Sequence, residues 1–182
     1  MLVFIDFEAS SLGKKSYPIE VGWVFENGVH ADYLIKPAPG WNDWDPDAEA
    51  IHGISREIVE GAGFSHDEVA RIMLGQLAGH DLIASAPSWD GKWLSALLRA
   101  AGYPRRTLRL RGTDELIREE VQRLFGTPVI APLEKTVVDL LGSTGRPDGP
   151  PAHRALPDAE QERLYFLSVR EALRTHAFQH RR

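Results

Sequence analysis

Two acids close an apolar run near the start of the chain. Asp6 lies in the stretch Leu2–Phe7 and Glu8 follows it, and alternate residues of a β-strand project to the same face, about 6–7 Å apart along the strand. Two carboxylates placed in this way can chelate one divalent cation or bridge two. The alternative is that Phe7 points inward and both acids are solvated. The same Asp-x-Glu spacing occurs, without an apolar strand before it, at Asp47, Glu49, Asp158 and Glu160.

Two further motifs place acids at predicted helix starts. Asp90 follows an apolar strand and falls in the first turn of the next helix, and Asp158 stands five residues after His153, at the start of the last long helix. Each motif alone is weak evidence. An acid in a first turn favours the helix dipole whether or not it has another role, and one His-x4-Asp pair is close to chance in a chain of this composition.

The elements that must position these residues form an α/β pattern. Asn27-Gly28 predicts a tight hairpin between two strands, because both positions tolerate positive φ, and the chain therefore opens with a three-strand antiparallel meander. Strands are predicted at Leu2–Phe7, Tyr17–Glu26, Val29–Lys36, Asp81–Ala86 and Thr107–Leu110. Helices are predicted at 56–60 with Ser55 as N-cap, His66–Leu77, Trp89–Ala101, Thr113–Phe125, Pro132–Leu141 and Pro157 to about Thr175. Loops are predicted at Pro37–Pro46, at the second Asp-x-Glu pair and at Gly142–Pro151.

Composition indicates an ordinary globular protein. The chain has 182 residues, 43% hydrophobic and 26% charged, and this length favours a single domain over residues 1–182. No apolar run approaches the roughly 18 residues that a membrane span needs, and the early acids argue against a signal peptide. There is no cysteine, which excludes disulfides, thiolate catalysis and cysteine zinc sites. We expect a cytoplasmic protein without membrane contact.

Charge is distributed unevenly along the chain. The formal net charge is −5, which argues against nonspecific coating of duplex DNA. Residues 1–60 hold 11 acids and 4 bases, whereas residues 61–182 hold 15 acids and 17 bases. Four arginines lie close together at Arg105, Arg106, Arg109 and Arg111. An acidic front and a later basic patch suit a metal site beside a phosphate-contacting surface, and unevenly solvated faces are the alternative.

The motifs taken together, and in this order, resemble the DEDDh 3′–5′ exonucleases, the superfamily of the polymerase III proofreading subunit, RNase T and oligoribonuclease. The stretches that carry the resemblance span nearly the whole chain: FIDFEASSLG, YPIEVGWV, IHGIS, SWDGKWLSALL and HRALPDAEQ. The resemblance implies an RNase H-like mixed sheet, a three-strand antiparallel meander plus parallel strands, flanked by helices. It implies hydrolysis of single-stranded DNA or RNA 3′ ends to nucleoside 5′-monophosphates, with two Mg²⁺ or Mn²⁺ ions held by Asp6, Glu8, Asp90 and Asp158 and with His153 as general base.

The chain also departs from the family pattern. Ala9 stands where many members have Thr, and Ala86 where many have Asn. Neither position is a metal ligand, so the departures bear on how the terminal nucleotide is held. RNase T and oligoribonuclease are dimeric, so the resemblance allows a homodimer. Residues 105–150 match no segment of known role. The predicted substrate contacts, for several of which core packing or a solvated face is the alternative, are Phe7, Ala9, Leu12, His52, Trp89, Arg105 and Arg106.

Two other functions fit the same motifs. One is a catalytically silent nucleic-acid-binding domain of this fold, although such a domain has no need of four acids and a histidine. The other is a two-metal phosphodiesterase for very short oligonucleotides, which the lack of a large basic face would suit.

Overall fold

All five strands of the described chain belong to one mixed sheet. The computed structural model describes residues 1–126, 138–139, 142 and 152–179. The strand order is β3-β2-β1-β4-β5, with β1–β2 and β2–β3 antiparallel and β1–β4 and β4–β5 parallel. The predicted meander plus parallel strands is thereby confirmed. The strands are β1 Leu2–Ala9, β2 Pro18–Phe25, β3 His30–Leu34, β4 Asp81–Ala84 and β5 Leu110–Gly112.

Helices cover both faces of the sheet. In the described residues they are α1 Pro46–His52, α2 Arg56–Ala62, α3 His66–Leu77, α4 Pro87–Ala100, α5 Thr113–Phe125 and α6 Ala155–Gln179. Alternation along β1 sends neighbouring side chains to opposite faces. Val3, Ile5 and Phe7 pack with α3 and α4, whereas Phe4 packs with α5 and α6. Asp6 and Glu8 share the alternation of Phe4, so they face the side that α6 covers.

The hairpin between β2 and β3 is present, but its turn is longer than predicted. The Phe25 N–H donates to the Val29 carbonyl (2.7 Å) and the Gly28 N–H to the Phe25 carbonyl (2.8 Å), which leaves three residues in the connection. Only Gly28 has a positive φ, of 91°. A type I turn followed by one left-handed residue is the usual form of such a loop.

The helix α1 replaces part of a predicted loop. Asp45 caps it by accepting a hydrogen bond from the Asp47 N–H, Pro46 lies in its first turn and Gly53 ends it with a φ of 69°. The second Asp-x-Glu pair, Asp47 and Glu49, therefore lies on a helix rather than in a loop. The cap, the proline and the terminal glycine are all local features of the sequence.

Other boundaries differ by a few residues. The helix α2 runs through Ala62, and Gly63 ends it. Pro87 begins α4 two residues before the predicted start, so β4 stops at Ala84. The helices His66–Leu77 and Thr113–Phe125 are confirmed.

The strand predicted at Thr107–Leu110 is wrong except at its last residue. The Thr107 N–H and Oγ1 both donate to the Pro104 carbonyl (3.0 and 2.7 Å) and form a turn instead, and pairing with β4 begins at Leu110. The predicted helix Pro132–Leu141 and loop Gly142–Pro151 lie outside the described residues, apart from 138–139 and 142. No helix in the described chain has both the length and the apolar character to cross a bilayer.

Candidate active site

Three carboxylates from distant parts of the chain meet beside the end of β1. Asp6 and Glu8 lie on β1, and Asp158 lies in the first turn of α6. One oxygen from each of the three lies within 4.8 Å of the other two. The strand alternation places the first two on one face, and packing of α6 on that face brings the third.

Asp90, on α4, lies next to this cluster. Its side chain is 2% exposed, and its Oδ2 accepts no hydrogen bond from any described residue. Burial raises the pKa of Asp90, and a hydrogen bond from the backbone of Phe7 partly opposes that rise, so Asp90 lies against β1. The charge of Asp90 in turn adds to the effect of burial in raising the pKa of Asp6. A buried carboxylate oxygen without a donor is costly unless a ligand satisfies it.

The four acids cannot all ionise freely in the protein alone. Burial, followed by the charges of Asp90 and Glu8, raises the pKa of Asp6 well above its ordinary value. Burial, followed by the charge of Asp158, raises the pKa of Glu8 to about 8. Burial raises the pKa of Asp90 to about 7. Nearby positive charge would reverse these effects, and carboxylate oxygens are the ligands that Mg²⁺ and Mn²⁺ prefer. The donor set therefore fits divalent cations.

A further acid, the buried Glu20, organises the start of α6, and the sequence reasoning missed it. Glu20 is 2% exposed and lies opposite Glu8 across β1 and β2. It accepts hydrogen bonds from Arg154 Nη2 (2.6 Å) and from the Ala155 N–H (2.9 Å). Glu20 thus ties the first residues of α6 to the sheet. The available clue was a lone acid in the middle of an apolar strand, since such an acid needs a partner when buried.

Gly22 allows α6 to approach the sheet closely. A Cβ built on Gly22 would lie 2.3 Å from the Leu156 nitrogen and 2.6 Å from the Ala155 carbonyl carbon. Only a residue without a side chain leaves room for the helix backbone here. The approach brings the Ala155 N–H within reach of Glu20 and sets Asp158 near Glu8.

His153 is held between two anchored neighbours. The Ala152 N–H donates to Asp158 Oδ1 (2.8 Å), and Arg154 on the other side binds Glu20. His153 itself has a φ of 52°, an uncommon conformation for a residue other than glycine, although His is one of the side chains enriched there. The structure places His153, partly exposed, two residues before the start of α6, between the residue that binds Asp158 and the residue that binds Glu20.

His52 lies at the end of α1, facing the same region. It is 6% exposed, and its Nδ1 accepts a hydrogen bond from the Ile54 N–H (3.1 Å), so the neutral ring carries its proton on Nε2. No described residue accepts from that Nε2. Burial lowers the pKa of His52. The charges of Glu49 and Glu20 oppose that shift and the charge of His153 adds to it, so His52 lies close to Glu20 and His153.

The remaining predicted contacts divide into core and surface. Phe7 is 3% and Ala9 6% exposed, and both pack in the core with α3 and α4, so the structure does not bring their side chains to the acidic cluster. Leu12 is 70% and Trp89 41% exposed. Lys92 links these two, because its Nζ lies 5.1 Å from the centre of the Trp89 ring and donates to the carbonyl of the residue after Leu12 (2.6 Å). Arg105 and Arg106 lie farther along, beside α4.

The mixed sheet with helices on both faces is shared by solved structures of exonuclease I. The zinc-bound complex of Escherichia coli exonuclease I with single-stranded DNA has 14% identity and a TM-score of 0.67 over 98% of this chain and 42% of that one. Exonuclease I from the moderately thermophilic Methylocaldum szegediense has 16% identity and a TM-score of 0.68 over 93% and 40%. The E. coli enzyme with a dA16 oligonucleotide has 15% identity and a TM-score of 0.65 over 100% and 43%.

These likenesses confirm the predicted fold. The chain spans about two fifths of the exonuclease I chains, and identities this low bear on the fold alone. No protein-family model matches the chain, and no curated protein matches it.

Proposed function

We propose that residues 1–182 form one domain that acts as a metal-dependent 3′–5′ exonuclease on single-stranded nucleic acid. The observation that carries the proposal is the convergence of Asp6, Glu8 and Asp158 within 4.8 Å, with the buried Asp90 beside them. Like charges held this close together, with Asp90 buried beside them, cost free energy unless a cation neutralises them. A domain that only binds nucleic acid does not need this carboxylate cluster, and it would be more stable without it.

The carboxylates would hold two divalent ions, Mg²⁺ or Mn²⁺. Asp6, Glu8, Asp90 and Asp158 supply oxygens only, which suits these ions and leaves coordination positions for water and substrate. When bound, the ions neutralise the phosphodiester, lower the pKa of water and stabilise the leaving oxygen. Two Mg²⁺ would also change the formal charge of the protein from −5 toward neutrality, so the acidic composition does not oppose a nucleic-acid substrate.

His153 would act as the general base. A histidine can accept a proton near neutral pH, and the tethers through Asp158 and Glu20 hold this one at the edge of the acidic cluster. The water oxygen forms a bond to phosphorus as its proton passes to His153, and the bond from phosphorus to the 3′-oxygen of the preceding nucleotide breaks. That 3′-oxygen takes up a proton, and a nucleoside 5′-monophosphate is released.

Exposed apolar groups and His52 would hold the terminal nucleotide. Leu12 and Trp89 present apolar surface on which a base can stack or wedge, and the buried Nε2–H of His52 offers a donor in the same region. Phe7 and Ala9 lie in the core, so we assign them support of β1 and not a base contact. None of these groups by itself distinguishes DNA from RNA, since that distinction needs contacts to the 2′-hydroxyl.

The test uses matched single-stranded DNA, RNA and dinucleotides, each 5′-labelled, with Mn²⁺ and with EDTA. A metal-dependent ladder of products shortened one nucleotide at a time from the 3′ end is the expected result. The double variant Asp6→Asn/Glu8→Gln should abolish it, while Asp47→Asn, on the surface of α1, should not. Retention of the strand without cleavage would instead assign a silent binding domain, and cleavage of dinucleotides alone a phosphodiesterase for very short oligonucleotides.

A further inference from the structure

A basic pocket lies beside the first turns of α4. Its volume is about 600 Å³, and it is lined by Lys92 and Ser95 of α4 and by Arg105, Arg106 and Arg109 of the segment between α4 and β5. The three arginines are exposed. Four cationic side chains around one concavity create a positive potential that favours a polyanion.

The three arginines differ from most others in the described chain. Within the described residues, Arg105, Arg106 and Arg109 make no ion pair with a carboxylate. The arginines that do lie against an acid are Arg56, Arg71, Arg111, Arg123, Arg154, Arg163 and Arg170. The other described arginines without an ion pair, Arg99, Arg118 and Arg174, lie apart from one another on three different helices. Three unpaired arginines that line one pocket point to a ligand that supplies the negative charge.

The segment that carries the arginines is ordered by its own contacts. The Tyr103 N–H donates to the Leu98 carbonyl (2.8 Å) at the end of α4, and Thr107 closes a turn on the Pro104 carbonyl. Leu108 is 6% exposed and packs in the core with α3 and α4. The arginines therefore project from a braced turn, which reduces the ordering cost of binding.

The pocket and the acidic cluster share the helix α4. Asp90 is followed on α4 by Gly91 and Lys92, which line the pocket, and Ser95 lies about 7.5 Å along the helix from Asp90 at 1.5 Å per residue. A strand whose 3′ end reaches the carboxylates can therefore continue across the arginines. Guanidinium groups bind phosphate oxygens in bidentate geometry, whatever the base.

We propose that this pocket binds the internucleotide phosphates of a single strand on the 5′ side of the scissile bond. The inference rests on the proposed function, because continuity with the acidic cluster favours a nucleic-acid strand over an acidic peptide. It extends the substrate contact from Arg105 and Arg106 to Arg109 and the pocket as a whole. The protein accordingly prefers strands long enough to reach both places.

The test measures binding of a 5′-fluorescent DNA 12-mer by anisotropy, in EDTA so that nothing is cleaved, over a range of salt concentrations. The variant is Arg105→Ala/Arg106→Ala/Arg109→Ala. Each neutralised phosphate of a single strand contributes about 0.7 to the slope of log K against log salt, so loss of three contacts flattens the slope by about 2. The matched control, Arg71→Ala/Arg118→Ala/Arg123→Ala, removes the same charge from α3 and α5 and keeps the slope.

A second variant separates charge from shape. Replacement of the three pocket arginines by lysine keeps the slope, because lysine also neutralises phosphate. With Mn²⁺, the ratio of kcat/KM for the 12-mer to kcat/KM for a dinucleotide falls in the alanine variant. The proposal is overturned if the alanine variant stays folded in a thermal melt and keeps the wild-type slope. It is also overturned if a decaglutamate peptide binds to the same pocket more tightly than the 12-mer does.

These outcomes are distinct from failure of the proposed function. If the wild type cleaves strands but the alanine variant keeps its slope, the exonuclease proposal stands and the pocket proposal fails. If the wild type cleaves nothing but the slope flattens in the variant, the pocket binds strand phosphates, while the exonuclease proposal fails and the placement beside a scissile bond fails with it.

Discussion

Glu8→Gln should stabilise the metal-free protein at alkaline pH, and it should do so less as the pH falls. The pKa of Glu8 is raised from 4.5 to about 8, first by burial and then by the charges of Asp158 and Glu20. Between these two values the folded state holds a proton that the unfolded state has lost. Stability therefore falls as pH rises through this interval, and the amide of Gln, which never ionises, removes the fall.

The magnitude follows from the size of the pKa difference. One unit corresponds to about 1.4 kcal/mol, so the full difference corresponds to about 4–5 kcal/mol above pH 8 as an upper value, and to less than about 1 kcal/mol at pH 5. A change of 1 kcal/mol shifts Tm by about 2–4 °C in a domain near this size. We therefore expect a variant that melts roughly 10–20 °C above wild type, as an upper value, at pH 8.5 and within a few degrees of it at pH 5.

Divalent metal should reverse the order of the two proteins. Saturation of the folded protein at 100 times the Kd adds about 2.7 kcal/mol per site, and Glu8→Gln removes a ligand and most of that gain. The assay is a thermal melt of both proteins from pH 5 to 9, in EDTA and in Mn²⁺. Asp47→Asn, in the exposed first turn of α1, is the control. If Glu8→Gln and Asp47→Asn show the same pH dependence and the same response to Mn²⁺, the four-carboxylate site is refuted.

Three other changes test the parts around the acids. His153→Ala should lower turnover about 100-fold and leave the Mn²⁺-induced rise in Tm unchanged, and activity within a few-fold of wild type at pH 7 would show that His153 is not the base. Gly22→Ala should destabilise the protein by at least about 1–3 kcal/mol, because the new methyl group meets the α6 backbone. The control is Gly75→Ala on the exposed face of α3, where a Cβ has nothing within 4 Å, and it should stabilise the protein by about 0.5–1 kcal/mol. Equal effects of the two substitutions in chemical denaturation would contradict the packing argument. Glu20→Gln should retain the cap on α6 in part, lose the ion pair, and lower kcat more than it raises KM, and an unchanged kcat would remove Glu20 from the positioning of α6.

Local rules account for what could be predicted from the sequence. The alternation of polar and apolar residues in β1 determines that Asp6 and Glu8 share a face, whatever packs on it. The helical spacing of Val69, Met73 and Leu77 determines α3, whose predicted bounds are the observed ones. The order of the acidic motifs and His153 indicates the exonuclease fold. Each of these inferences needs only short-range geometry or a comparison of short motifs.

Contacts between distant segments account for the rest. Glu20 and Arg154 are 134 residues apart, and nothing local to either residue shows that one holds the other. The same is true of Gly22, whose role depends on the path of α6. Phe7 shows the converse case, since the alternation that orients Asp6 toward α6 necessarily turns Phe7 into the core. Which residues a buried group meets depends on how the helices pack across the sheet, and that packing is a property of the whole chain and not of any one segment.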